Sequence, residues 1–404
     1  MTTLLAGVFL VPLAAVAAPL LGAGVQRVLR VPLIVFEILL GVLLGPSALG
    51  WVQPDEVTGV LSDFGVAMLF FLAGNEIDFR GIRGRPLRRA ALGWLVSLAV
   101  GVGVGVWIAP STVTGVFIGV ALTSTALGTL LPVLRDEGDL HSPFGRAATA
   151  TGAAGEFGPL LAISIFLGGR SPLAGALVLA AFALISGLAI WLASRGPHPA
   201  FNRLTAATLR TSGQFAVRTV IFVVAALSVL SAVLGLDMLL GAFAAGVLCR
   251  VLLSGAAPDD REIVDAKLEA VGFGFLVPVF FVMTGVTFDL RALLASPRLL
   301  GLMAVALALL LVIRGLPSVV AAPEGSTAAD RVALLLFGAT GLPLIVAVTG
   351  IGVDRGELDS GTAAALVGAG MLSVLIFPAL ALALRRRSEG GDLVADAEEV
   401  PIEG

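Results

Sequence analysis

Thirteen apolar segments, each long enough to form a membrane-spanning helix, follow one another along the chain and constrain its fold most strongly. A helix of about 20 apolar residues crosses the hydrocarbon core of a bilayer. The segments are residues 4–22, 32–49, 57–79, 90–109, 112–134, 147–168, 172–193, 213–234, 236–254, 268–288, 299–321, 332–350 and 358–384. Because their connections are short, the sequence predicts an all-α polytopic membrane protein of about 13 transmembrane helices.

The composition excludes a soluble globular protein. The chain is 58% hydrophobic and 13% charged, whereas roughly one quarter of the residues in a soluble domain are charged. The first segment could instead be a secretory signal peptide. It lacks the basic residues that begin such a signal, so we interpret it as a helix of a transmembrane domain at 1–387. Residues 388–404 are acidic and contain glycine, and we expect a short disordered cytoplasmic tail.

The distribution of basic residues predicts the orientation. When the connections are assigned alternately to the two sides, 20 of the 25 Lys and Arg residues fall on one side and four on the other. Cytoplasmic loops of membrane proteins are enriched in these residues. The asymmetry therefore predicts a multi-pass protein of the cell membrane with its N-terminus outside and its C-terminus in the cytoplasm.

Two predicted spans are interrupted in a similar way. The segments "ALTSTALGTLLPVL", 121–134, and "FGATGLPLIVAV", 337–348, each combine Thr, Gly and small residues with a following Pro. They lie seven helices apart, which predicts two inverted six-helix repeats at about 1–168 and 213–384, joined by a linker helix at 172–193. Paired interruptions of this kind indicate a transporter's binding site. Two ordinary kinks, which membrane helices tolerate, are the alternative.

Charged residues inside a membrane are costly and therefore informative. Glu37 lies in a span that also contains Gly41 and Gly45, a spacing that favours close helix packing, and both a structural and a functional role are open for it. Glu156, in "GAAGEFGP", and Arg314 are the deep, opposite charges. They are interpreted as a buried ion pair, as a titratable transport carboxylate with a cationic partner, or as both.

Four further acids fall near the ends of spans, where we expect interfacial roles, including ion pairs with the Arg cluster at 80–89. They are Asp63, Glu76, Asp78 and Asp237.

Several blocks of the sequence, in order from about residue 30 to 380, carry a family resemblance. They are "GVLLGPSALGW", "MLFFLAGNEIDFRGIR", "LTSTALGTLLPVLRDEG", "GEFGPLLA", "LGAFAAGVL", "FLVPVFFVMTGVTFDL" and "ATGLPLIVAVTGIG". Together they resemble the membrane domain of the monovalent cation:proton antiporter-2 family, the sodium/hydrogen exchanger type related to potassium efflux antiporters.

The resemblance implies a sodium/proton antiporter fold with 13 helices, two inverted repeats and two discontinuous helices that cross at mid-membrane. It also implies a homodimer whose interface is formed by the early helices. The ion- and proton-binding residues it implies are Thr123, Ser124, Thr125, Glu156, Thr340 and Gly341, with Arg314 as a candidate ion-pair partner.

The sequence departs from the family pattern at two positions. Many members carry paired aspartates in the sixth helix, but Gly155 precedes the single acid, Glu156. Relatives often have an acid after "AVT" of the twelfth helix, where this chain has Gly350. One carboxylate would then bind a proton and a cation alternately, which predicts electroneutral exchange of Na⁺ or K⁺ for H⁺.

Other classes of function are weighed against this hypothesis. A cation channel, or a K⁺ efflux pathway without obligatory proton coupling, is the main alternative, and sodium-coupled symport of organic anions has weaker support. An enzyme is not expected, because the spans contain no Ser/His, paired-Asp or metal-binding His motif, and His141 and His198 lie in connections. We expect no cofactor, no metal beyond the transported cation and no nucleic-acid partner. The choice between Na⁺ and K⁺ depends on cavity geometry that spacing does not reveal.

Overall fold

The structure is a computed structural model that describes residues 2–25, 32–77, 79–166, 171–195, 199–209, 211 and 213–398. Throughout these residues the regular structure is helical. The first eleven helices are α1 (Thr2–Val25), α2 (Leu33–Leu44), α3 (Glu56–Glu76), α4 (Phe79–Ile82), α5 (Arg85–Ile108), α6 (Thr112–Ala121), α7 (Leu127–Asp136), α8 (Pro143–Phe166), α9 (Pro172–Ser194), α10 (Pro199–Thr208) and α11 (Phe215–Val233).

The remaining helices include two continuous spans that contain π-helical turns. One π-helical turn, Gly272–Leu276, joins α13 to α14, and the other, Leu310–Gly315, joins α16 to α17. The helices are α12 (Met238–Leu253), α13 (Pro258–Val271), α14 (Val277–Thr287), α15 (Leu290–Ala295), α16 (Pro297–Leu309), α17 (Leu316–Ser318), α18 (Ala328–Gly338), α19 (Pro343–Asp354) and α20 (Ser360–Glu398).

The helices confirm the predicted membrane class. Within the described residues, nine helices are long and apolar enough to cross a membrane, and shorter apolar helices accompany them. Each of the 13 predicted apolar segments overlaps a helix or a broken helix of the structure. The total number of crossings stays a prediction.

The chain forms two compact units, and neither corresponds to one predicted repeat. The first unit comprises Met1–Ile77 and Leu160–Arg291, and the second comprises Asp78–Pro159 and Ala292–Gly404. Each unit therefore combines parts of both predicted repeats. The repeat boundaries themselves stay a prediction.

In the first unit, glycines let α2 and α14 pack backbone against backbone. A Cβ atom at position 41 would lie 2.9 Å from the Cα atom of Gly285, and one at position 45 would lie 2.7 Å from the carbonyl oxygen of Val286. Neither position has room for a side chain. The close packing that the Gly41 and Gly45 spacing predicts is confirmed, and Glu37 is buried in the same helix.

In the second unit, the end of α20 joins several elements through arginines. Arg385 forms ion pairs with Asp139 and with Asp330, the latter at 3.0 Å, and its guanidinium lies 4.0 Å from the ring centroid of Phe144. Arg386 lies 2.5 Å from Glu137. These contacts connect α20 to the end of α7, the beginning of α8 and the first turn of α18.

In the structure α20 continues as a helix over residues 388–398, and the disorder of the tail stays a prediction. Extending an existing helix costs much less than nucleating a new one, so a polar segment can continue a membrane helix. Residues 399–404 lie outside the described residues.

The structure places several of the charged and titratable residues that the sequence analysis named. Asp237 caps α12, because its carboxylate accepts a hydrogen bond from the backbone N–H of Leu239 at 2.9 Å. Arg85 and Arg89, from the basic cluster, each lie 3.4 Å from Glu324. His141 is exposed in a connection. Asp78 and His198 lie outside the described residues.

Candidate functional site

Both predicted interruptions are real breaks in helices. The first break separates the end of α6 at Ala121 from the start of α7 at Leu127, and the second separates α18 from α19 at 339–342. In the first break the hydroxyls of Thr123 and Ser124 donate to the carbonyls three residues earlier, each at 2.8 Å. Such local bonds compete with helix hydrogen bonds.

Proline explains where the second break ends. Pro343 is the first residue of α19, a position that tolerates proline because its missing N–H would have no helical partner. Proline also disfavours helical geometry in the preceding residue, and Leu342 has φ −143° and ψ −57°.

The two breaks meet through direct hydrogen bonds. The backbone N–H of Ala126 donates to the carbonyl of Thr340 at 2.7 Å, and the Thr125 hydroxyl donates to the carbonyl of Gly338 at 2.6 Å. A Cβ atom at position 341 would lie 2.9 Å from both oxygens of Ser124, so glycine is required for this approach. The structure thus brings Ser124, Thr125, Thr340 and Gly341 together across the two breaks, whereas the hydroxyl of Thr123 bonds within its own broken helix.

Glu156 lies at the N-terminus of α7. Its Oε2 atom accepts a hydrogen bond from the backbone N–H of Leu127 at 3.1 Å, and the residue is 3% exposed. The N-terminal end of a helix carries partial positive charge that favours an anion. One turn earlier in α8, a Cβ atom at Gly152 would lie 2.7 Å from the Leu127 side chain, so the small residue makes the approach possible.

Arg314 is completely buried beside the first break. Its Nε atom donates to Thr125 Oγ1 at 2.8 Å, Nη1 donates to Ser318 Oγ at 3.1 Å, and Nη2 donates to the carbonyl of Thr151 at 2.7 Å. The residue belongs to the π-helical turn Leu310–Gly315, and such turns are frequent at functional sites. The guanidinium therefore connects the first break to α8, the helix of Glu156.

The position of the missing second acid is occupied by neighbouring groups. The carbonyl of Gly155 accepts a hydrogen bond from the backbone N–H of Thr125 at 2.9 Å. A Cβ atom at position 155 would lie 2.6 Å from Thr125 Cβ and 2.7 Å from Arg314 Nη2. An aspartate here would have to displace both side chains, which gives a physical reason for the single carboxylate.

Helix α8 carries two further buried hydroxyls on the turns that precede Glu156. The hydroxyls of Thr149 and Thr151 are buried and, among the described residues, have no hydrogen-bond partner. Thr149 and Glu156 are two helical turns apart and share one face of α8. Hard cations prefer oxygen ligands such as hydroxyls, carbonyls and carboxylates.

Sequence reasoning missed three residues of this region. Thr151 and Ser318 accept hydrogen bonds from Arg314. Ser373, in α20, bonds to both backbone groups of Gly341. Ser and Thr are common in membrane helices, so their residue types carried no distinguishing signal.

Comparison with known proteins finds relatives of similar sequence. A putative Na⁺/H⁺ antiporter, YjbQ of Bacillus subtilis (strain 168), is 26% identical over 380 residues, which cover 89% of this chain and 60% of that protein. The Na⁺/H⁺-K⁺ antiporter GerN of Bacillus cereus is 27% identical over 269 residues, covering 64% of this chain and 66% of GerN. The chain thus spans less than two thirds of the length of these relatives.

A solved structure supports the fold across nearly the whole chain. The sodium proton antiporter MjNhaP1 from Methanocaldococcus jannaschii superposes with a TM-score of 0.67 at 14% identity, and the match covers 95% of this chain and 99% of that one. The predicted antiporter fold is confirmed by this match. The model of the transmembrane sodium/hydrogen exchanger family matches residues 13–382. The chain therefore belongs to the sodium/hydrogen exchanger family.

Proposed function

We propose that the protein exchanges a monovalent cation, Na⁺ or K⁺, for a proton across the cell membrane. The observation that carries this proposal is the position of Glu156, a buried carboxylate at the N-terminus of α7, where two broken helices meet. The relatives YjbQ and GerN are described as Na⁺/H⁺ and Na⁺/H⁺-K⁺ antiporters, which supports the same class of transport.

Competition for Glu156 provides the coupling. A buried carboxylate is costly unless its charge is balanced, and either a bound proton or a bound cation balances it. The oxygens of Thr123, Ser124, Thr125, Thr340 and Gly341, together with the α7 dipole, shape the site around it. Because one group serves both ligands, the cation binds only when the proton has left.

The exchange is electroneutral under this mechanism. One carboxylate carries either one proton or one monovalent cation, so the loaded site has the same net charge in both cases. Arg314 remains protonated, since a guanidinium is not deprotonated in proteins. It acts as a fixed charge and a candidate ion-pair partner of Glu156, while it holds Thr125 in place. A motion that exposes the site alternately to the two sides completes the cycle.

The orientation and assembly are part of the proposal. The excess of Lys and Arg in alternate connections supports an outside N-terminus and a cytoplasmic C-terminus. The family resemblance supports a homodimer formed through the early helices. The function requires no cofactor, and the protein's partners are H⁺, the cation and the lipid bilayer.

Proton flux measured in proteoliposomes tests the function. We expect an imposed gradient of Na⁺ or K⁺, but not of an impermeant organic cation, to drive proton movement in the opposite direction. Because the exchange is electroneutral, a membrane potential should change its rate little. Parallel runs with Li⁺, Na⁺ and K⁺ rank the cations.

Two outcomes contradict the proposal. Cation conductance without proton movement identifies a channel, the alternative class. A flux that scales strongly with the membrane potential excludes one-for-one exchange.

A further inference from the structure

Ser373 is a buried hydroxyl at the second break that the exchange mechanism above does not use. It lies in α20 and is completely inaccessible to solvent. Its Oγ atom accepts a hydrogen bond from the backbone N–H of Gly341 at 3.1 Å. The same hydroxyl lies 3.1 Å from the carbonyl of Gly341 and 2.7 Å from that of Gly370, so its single proton is shared between them.

Ser373 holds a place in the second half of the chain that matches the place of Glu156 in the first half. Along the sequence, Ala121 is the last residue of α6 and Gly338 is the last residue of α18. The number of residues from Ala121 to Glu156 equals the number from Gly338 to Ser373. Both side chains accept a backbone N–H at a helix break. Pro343 lacks an N–H, so in the second break the donor comes from Gly341, two residues earlier.

A continuous series of contacts runs from Ser373 to the carboxylate. Ser373 holds the peptide groups of Gly341. The carbonyl of the preceding residue, Thr340, accepts a hydrogen bond from the backbone N–H of Ala126. The backbone N–H of the next residue, Leu127, donates a hydrogen bond to the carboxylate of Glu156. A displacement of Gly341 would therefore move the backbone N–H of Leu127, which orients the carboxylate of Glu156.

The packing of α20 against the second break leaves little freedom for adjustment. A Cβ atom at position 370 would lie 2.8 Å from the Gly341 carbonyl oxygen and 3.2 Å from side chains of Leu342 and Ile345. Water has no access to Ser373. Loss of the hydroxyl would thus leave the Gly341 N–H unsatisfied, which is costlier than losing a solvent-exposed bond.

We propose that Ser373 is a positioning residue for the exchange site: it holds the Gly341 peptide groups and thereby sets the affinity and choice of cation at Glu156. The proposal rests on the Glu156 site described above. Ser373 carries neither the proton nor the charge. Its effect is on geometry, and discrimination between small cations depends on the arrangement of coordinating oxygens.

The test compares Ser373→Ala with Ser97→Ala in proteoliposomes. Ser97 is an equally buried serine in α5 whose hydroxyl donates to Gly93 of its own helix at 3.0 Å. We expect Ser373→Ala to raise the KM for the cation about fivefold, the factor that corresponds to one lost hydrogen bond, and to change the ratio of the Na⁺ and K⁺ KM values. The maximum rate should change less, and Ser97→Ala should change neither KM value.

A second variant covers the case in which Ser373→Ala does not fold. Ser373→Cys keeps the shape of the side chain with a somewhat larger atom and weakens its hydrogen bonds, so it should shift the KM values in the same direction by a smaller factor. Unchanged KM values and an unchanged cation ratio in the folded Ser373 variants would overturn the inference, as would an equal shift in Ser97→Ala. Glu156→Gln is measured in the same preparations. If that variant still exchanges, the site assignment itself fails, whatever Ser373 does.

Discussion

Glu156→Gln should reduce cation-driven proton movement in everted membrane vesicles to the level of vesicles without the protein. The amide has nearly the same shape as the carboxylate, and its oxygen can still accept the N–H of Leu127. It neither titrates nor balances the charge of a cation. We therefore expect normal amounts of folded protein together with a complete loss of exchange.

Glu37→Gln is the matched control for this prediction. Glu37 and Glu156 are both 3% exposed and both lie within apolar helices, but Glu37 belongs to the other compact unit. We expect Glu37→Gln to retain exchange. Exchange that persists in Glu156→Gln would remove the proposed carrier, and an equal loss in Glu37→Gln would show that Glu156 does not act alone.

Among the substitutions considered for this protein, Arg314→Met should lower the free energy of unfolding the most. Methionine fills a similar volume but removes three charge-assisted hydrogen bonds, to Thr125, Ser318 and Thr151. Hydrogen bonds to charged groups contribute about 1.5–3 kcal/mol each, and the apolar replacement recovers part of that loss. We expect the free energy of unfolding to fall by roughly 3 kcal/mol, with transport impaired because Thr125 loses its donor.

Thermal unfolding of the purified protein in detergent measures this effect. Arg331→Met serves as the control, because Arg331 is an exposed arginine in the first turn of α18. The melting temperature of Arg331→Met should stay close to that of the wild type. If the melting temperature of Arg314→Met were no lower than that of Arg331→Met, the three buried hydrogen bonds could not be holding the first break in place.

The membrane class and the position of the breaks were predictable from local sequence. Apolar length indicates a span regardless of tertiary structure. The Thr-Ser-Thr run at 123–125 and the Gly-Leu-Pro run at 341–343 weaken helical geometry through the chemistry of their own residues. Glu156 was predictable because an acid in an apolar span is rare and costly.

The remaining features depend on contacts between residues distant in the sequence. Nothing near Gly155 indicates that Arg314 and Thr125 occupy the space of a second acid. Ser373 is one of many hydroxyl residues in the helices, and its role appears only when α20 is packed against the second break. The division into two units also joins distant stretches of chain, so the order of the predicted repeats did not reveal it.

Proton release upon cation binding to the purified protein tests the central claim most directly. In weakly buffered solution at a pH where the empty site is protonated, saturating Na⁺ or K⁺ should release about one proton per bound cation from the wild type, because ligand and proton share one group. Glu156→Gln should release none. Release of two protons per cation by the wild type, or undiminished release by Glu156→Gln, would contradict a single carboxylate that binds proton and cation in turn.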